Sequence, residues 1–296
     1  MFYLVIFIFP ILINSQVLDT DLSDGLNAEG VSIKYLEGSS EPFKGNVFNY
    51  YPNGNRELKG NYSRGLKEGK WVWWYPNGEK NKTGYYVRSL EDSIWQWWFK
   101  NGQLMKRGKY KKGKKDGRWS EWYEDGTLAN SFGYIDDKPN GKCLKKFANG
   151  EKQIEIMYNY GIKSGIEKEW NENGIPIYEN NWKDGLKDGA QIIWAGNGLI
   201  LSKHRYSKGM LHGEYIDYYK SGQKSIVGNY RFGKKHGTWT YSYKDGVVAL
   251  SGNYRNGDPK GSWFWIRANK SEMVNVDDPD KDWVTKRIRE WERIYN

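Results

Sequence analysis

Apolar and polar positions recur along this chain on a fixed period of 24 residues. In each period a run rich in aromatics, such as KWVWWY (70–75), leads into Asn-Gly or Asp-Gly. A second run, such as KNKTGYYV (80–87), then leads into a Gly- and Lys-rich link such as RGLKEG (64–69). Aromatic runs bounded by turn residues read as strands. Asn-Gly and Asp-Gly are strong hairpin signals, because both residues accept φ > 0. Each period is therefore expected to be one β-hairpin with Asn-Gly at its tip, and nine such repeats follow without a slip in register.

Residues 24 apart form columns. Gly54, Gly78 and Gly102 begin a glycine column that runs unbroken to Gly246, while Ser93 interrupts a second column and Ser89 and Asp137 a third. Tyr62, Tyr86, Tyr110 and Tyr134 begin a column that stays aromatic to Tyr254. Stacking of each ring on its equivalent in the next hairpin would explain it. Trp74, Trp98 and Trp122 belong to a column broken at Lys146 and Ser242, and Tyr75 to the column beside it. Adjacent strand residues point to opposite faces, so aromatics are expected on both.

The ends lack the period. Residues 1–15 hold an apolar run too short to span a bilayer and read as a secretory signal, with Ser15 before Gln16 as the cleavage edge. Residues 16–44 are an N-terminal cap or linker, 45–268 the repeat array, and 269–296 a capping helix. In that helix Asp278 is the expected N-cap and Pro279 the first position. Val284, Ile288, Trp291 and Tyr295 share a face that would cover the last open strand edge.

Composition sharpens this picture. Aromatics make up 17% of the 296 residues, with 35 glycines and a mean hydropathy of −0.88. Aliphatic residues are scarce, so rings must supply most of the core. The net charge of +10 favours acidic partners. It is densest over 100–118, which includes Lys111, Lys112, Lys114 and Lys115. Cys143 is the one cysteine, so no intramolecular disulfide forms. His212 and His236 lie one period apart, but Glu68, Asp92, Asp116 and Asp188 fill the equivalent positions and no ligand set surrounds them. No metal or cofactor is expected. Glycine-rich turns such as KKGKKDG (111–117) lack the Walker pattern, and no nucleophile–His or paired-carboxylate spacing occurs. The chain reads as a non-enzyme.

The repeat GKWVWWYPNGEKNKTGYYVRS (69–89) resembles the MORN repeat, more closely its bacterial variant. The shared features are the G-x-W start, the Y-x-N-G turn, the late G-x-Y and the G-x-x-x-G link, and the likeness covers about 45–265. Cys143, Glu167 and Gln191 depart from it where an early Trp is expected. The resemblance implies an all-β, elongated single-sheet solenoid of about nine hairpins without catalytic machinery.

Three functions are compatible. The first is an exported scaffold, secreted, periplasmic or on the cell surface, that binds a protein along its sheet. The second is a module for anionic glycan or a membrane surface, using Trp74, Trp98 and Trp122 with Lys111, Lys112, Lys114 and Lys115. The third, which the resemblance implies, is the antitoxin of a toxin–antitoxin pair. Nucleic acid is not an expected partner, and the oligomeric state is left open.

Overall fold

The computed structural model describes residues 17–267, 270–275 and 281–295. The expected signal, and Asp278 and Pro279, lie outside them. The described residues divide into two compact units, one of those up to 117 with 124–126, the other of 118–123 with those from 127 onward. Both consist of β-hairpin repeats, as the period predicts.

In the first unit the strands Gly45–Tyr50, Arg56–Ser63, Gly69–Trp74, Lys80–Val87, Leu90–Trp98 and Leu104–Lys111 pair antiparallel in chain order. Ahead of them Val17–Leu18 lies parallel to Val47 and Phe48. A side hairpin pairs Leu22–Leu26 with Ser32–Leu36. In the second unit the strands from Leu128–Ile135 to Lys270–Asn275 pair in the same way. The segment expected to be helical from 269 thus includes a strand, and the helix itself is Lys281–Tyr295.

The two turn types exchange the roles expected of them. At the Asn-Gly turn, Gly54 N–H donates to the Tyr51 carbonyl and Tyr51 N–H to the Asn55 carbonyl, both at 2.8 Å. Gly54, Gly78 and Gly102 have φ of 84°, 89° and 84°, whereas the asparagines before them do not take positive φ. This is a type I turn closed by a glycine bulge, with Pro52 or Pro76 at its second position. The tight two-residue turn lies at the other end of each hairpin, where both residues have positive φ: Arg64 52° and Gly65 73°.

The aromatic face carries the core, and its packing corrects the expected stacking of like rings. In the first unit Tyr62, Trp71, Tyr86, Trp95 and Tyr110 alternate edge to face, with centroids 5.2, 6.0, 5.0 and 6.0 Å apart. In the second unit Tyr230, Trp239, Tyr254 and Trp263 repeat the pattern at 5.1, 6.0 and 5.1 Å. The quadrupole of each ring favours an edge against a face, by about 0.5–1.5 kcal/mol per pair beyond area burial. Trp71 and Trp95 are only 1% and 3% exposed.

The C-terminal helix corrects a second expectation: it packs on a sheet face. Trp291 meets Tyr241 edge to face at 5.4 Å and donates to the Ser242 carbonyl. Val284 and Trp291 join a buried cluster with Leu250 and Trp265, with Ile288 packed against it. The stripe read from the sequence is therefore used, but against the aromatic face of the last hairpins.

Candidate functional site

Repetition at the hairpin tips is structural. Asn77 Oδ1 accepts from the Glu79 N–H at 3.1 Å, closing its own turn, while Nδ2 donates to the Lys100 carbonyl of the next repeat at 3.0 Å. Asn53 and Asn149 bridge in the same way, to Pro76 and Glu172. Beside them the Tyr51 and Tyr75 hydroxyls donate to the Trp74 and Trp98 carbonyls, both at 2.8 Å. Tyr123 and Tyr219 reach Lys146 and Ser242 likewise.

The opposite turns have a tie that sequence reading missed. The column of Glu68, Asp92, Asp188 and His212 accepts backbone N–H groups from the next tight turn, at Arg88, Lys112, Lys208 and Phe232. His212 thus serves its turn through Nδ1. Among the described residues no three His, Cys, Asp or Glu could hold a metal ion.

Trp74 and Trp98 are half-buried on the face opposite Trp71. Arg56 lies over both Trp74 and Phe48, 5.5 and 5.6 Å from the ring centroids, and Lys80 lies 5.9 Å from that of Trp98. An open depression of about 360 Å³ runs between them, lined also by Gly78, Glu79 and Gly102. Trp122, half-buried, ends the strand Gly117–Trp122. Lys111, Lys112, Lys114 and Lys115 are elsewhere. They flank the tight turn at the far end of Leu104–Lys111, whereas Trp98 pairs with Leu104 at its start. Eight residues of strand separate the two groups, roughly 25 Å. Lysine turn and tryptophan column therefore do not form one site.

On the aromatic face Trp73 and Trp97 extend the ring series. Trp73 stacks on Trp71 at 5.7 Å and lies 6.0 Å from Trp95, which lies 5.8 Å from Trp97. Lys82 lies over Trp73 at 4.2 Å and Lys106 over Trp97 at 5.7 Å. Burial, and then the Lys67 charge, lower the Lys82 pKa below its ordinary value.

Six segments match the MORN repeat variant: 44–64, 67–88, 91–112, 115–136, 163–184 and 235–256. No curated protein matches. Two solved structures are similar over most of this chain. The TcdB2–TccC3 crystal structure is 10% identical, with 86% of this chain and 17% of that chain covered and a TM-score of 0.19. The TcdB2–TccC3–Cdc42 structure is 9% identical, with 87% and 16% covered and the same score. At that score neither likeness carries an argument. The six matches support a MORN-repeat family for this chain.

Proposed function

We propose that this protein is a non-enzymatic, exported repeat scaffold that binds another protein along its aromatic sheet face. The observation that carries the reading is the half-buried ring series of Trp73 and Trp97 with lysines laid over it. Large aromatic rings, tryptophan above all, are among the side chains on which protein interfaces concentrate their energy. An open sheet face also suits an extended partner better than a small molecule, which needs a concave site. The purified chain from Gln16, used as bait on its host's envelope or medium fraction, should capture a defined protein. Capture should fall at least tenfold with Trp97→Ala. Export is checked by mass spectrometry of the cell-derived protein, whose N-terminus should be Gln16.

The depression between Trp74 and Trp98 supports a second reading, a site for anionic glycan or lipid headgroup with Lys80 in its lining as the cation and Arg56 over the Trp74 ring beside it. Glycan arrays and liposome pelleting at two salt concentrations test it. Salt-sensitive binding lost in Trp98→Ala would establish this reading over the first. An antitoxin role requires a retained N-terminal run, and an intact Met1 on cytosolic protein would support it.

A further inference from the structure

The column that holds Trp73 and Trp97 continues as Glu121, Lys145, Glu169, Ile193 and Asp217. It regains rings only at Tyr241 and Trp265, seven periods on. The chain covers that second pair itself. Strand register there runs Tyr241–Leu250–Trp265–Glu272. The helix Lys281–Tyr295 lies on this row. Trp291 meets Tyr241, and Val284 and Ile288 belong with Leu250 and Trp265 to one apolar cluster. Arg287 reaches over the Trp265 ring, 5.8 Å from its centroid, and donates to Glu272 at 2.7 Å. Tyr241, Leu250 and Trp265 are left 1%, 0% and 3% exposed.

In the first unit the corresponding row runs Trp73–Lys82–Trp97–Lys106. The ladder beside it is built alike: Trp71 and Trp95 stand where Trp239 and Trp263 stand, and all four are buried. Trp73 and Trp97, in contrast, are half-buried. Lys82 takes the place of Leu250. Lys106 stands beside Trp97 as Glu272 stands beside Trp265, so the charge at that position is reversed. Under the helix, the sheet brings the carboxylate and the helix the cation. In the first unit the sheet brings the cation. A cation over the ring does not bar a helix, because Arg287 lies over Trp265 with the helix docked.

We propose that Trp73, Lys82, Trp97 and Lys106 dock an amphipathic helix of a partner protein, with Asp or Glu flanking its apolar stripe. This partner class rests on the scaffold reading above. A sheet face offers side chains and no backbone partners, so a segment buried against it must satisfy its own N–H and C=O groups, as a helix does. The apolar stripe would cover the two indoles. The carboxylates would answer Lys82 and Lys106, which a neutral cover would bury without a counter-charge. The helix of a second copy is the wrong ligand. It carries five Lys or Arg against three Asp or Glu, and its Arg287 would meet Lys106 where it now meets Glu272.

Three peptides spanning residues 281–295 serve as probes. One has the native sequence. The second carries Lys286→Glu, Arg287→Glu, Arg289→Glu and Arg293→Glu. The third adds Glu290→Pro to the second and cannot stay helical. Each is titrated calorimetrically into full-length protein at low salt. The acidic helical peptide should bind at least tenfold tighter than either of the others. Lys82→Glu combined with Lys106→Glu should weaken it at least tenfold, and so should Trp97→Ala. Circular dichroism confirms that the variants are folded, and should Trp97→Ala fail to fold, the charge reversal decides. The proposal is overturned if the acidic peptide does not bind or if the charge reversal leaves its binding unchanged. It is equally overturned if the proline peptide binds as tightly, which marks an extended occupant, or if the native peptide does, which marks a second copy. Any of these results alongside Trp97-dependent capture of a host protein removes the helix and leaves the scaffold reading standing. Peptide binding as expected, with no host protein captured, counts against the scaffold reading alone.

Discussion

Trp95 lies flat against Gly84, so closely that a Cβ on the glycine would fall 2.0 Å from the indole ring. Ring and glycine belong to adjacent hairpins, so the contact ties one repeat to the next. Gly84→Ala should therefore lower stability by about 2–4 kcal/mol, an overpacking penalty at the high end because neither backbone nor indole can yield. Thermal or urea melts measure it. Gly228→Ala, facing Trp239, should behave alike.

The tip asparagine joins repeats through its amide. Asn77→Asp keeps the acceptor that closes the turn but loses the donor to the Lys100 carbonyl. The expected cost is about 0.5–1.5 kcal/mol, one hydrogen bond, and Asn77→Ala should cost more because the turn bond goes too. Tyr75→Phe should lose a similar amount, since its hydroxyl reaches the Trp98 carbonyl. Urea midpoints of the three variants rank the effects.

Ser93 fills the gap in a glycine column and takes φ of 59° there. A residue with a Cβ is strained in that region. Ser93→Gly should raise stability by about 0.5 kcal/mol, the relief of strain exceeding the added freedom of the unfolded chain. An unchanged or lowered melting temperature would contradict this.

Stability should fall in alkali. Burial, assisted by Glu91, pushes the Tyr86 phenol up to about 12, and burial does the same for Tyr254. Tyr62, Tyr215 and Tyr241 are pushed higher still, mainly by burial. A raised folded pKa means that the fold prefers the protonated phenol. That contribution is complete below about pH 10, the unfolded value. It is lost as pH climbs through the folded values, because only the unfolded chain gains by ionising. Melting temperatures should be flat from pH 7 to 9.5 and drop steeply above pH 10.

Much of this fold was legible because strict repetition turns each structural need into a column. The hairpins, the Tyr62-to-Tyr254 column and the helix stripe of Val284, Ile288 and Trp291 were readable from spacing alone. The turn chemistry was not. Asn-Gly suggested two central residues with positive φ, yet Pro76 ahead of it is the cue for a type I turn, and Arg64-Gly65 makes the tight one. The helix stripe showed an apolar face without showing what it meets. The Trp–Gly contact was hidden for another reason: the partners sit on different strands, and their joint replacement at Asn180 and Gln191 shows only when two columns are compared. The separation of Trp98 from Lys111–Lys115 follows from their opposite ends of one hairpin, which nearness in sequence conceals.

A photo-crosslinking residue placed at Trp97, on the aromatic face, and at Tyr85, exposed on the other, tests the proposed scaffold role most directly. Irradiated in the native host, the Trp97 variant should form one discrete protein adduct that the Tyr85 variant lacks. No adduct from either position, or an adduct from Tyr85 alone, would contradict binding of a protein along the aromatic face.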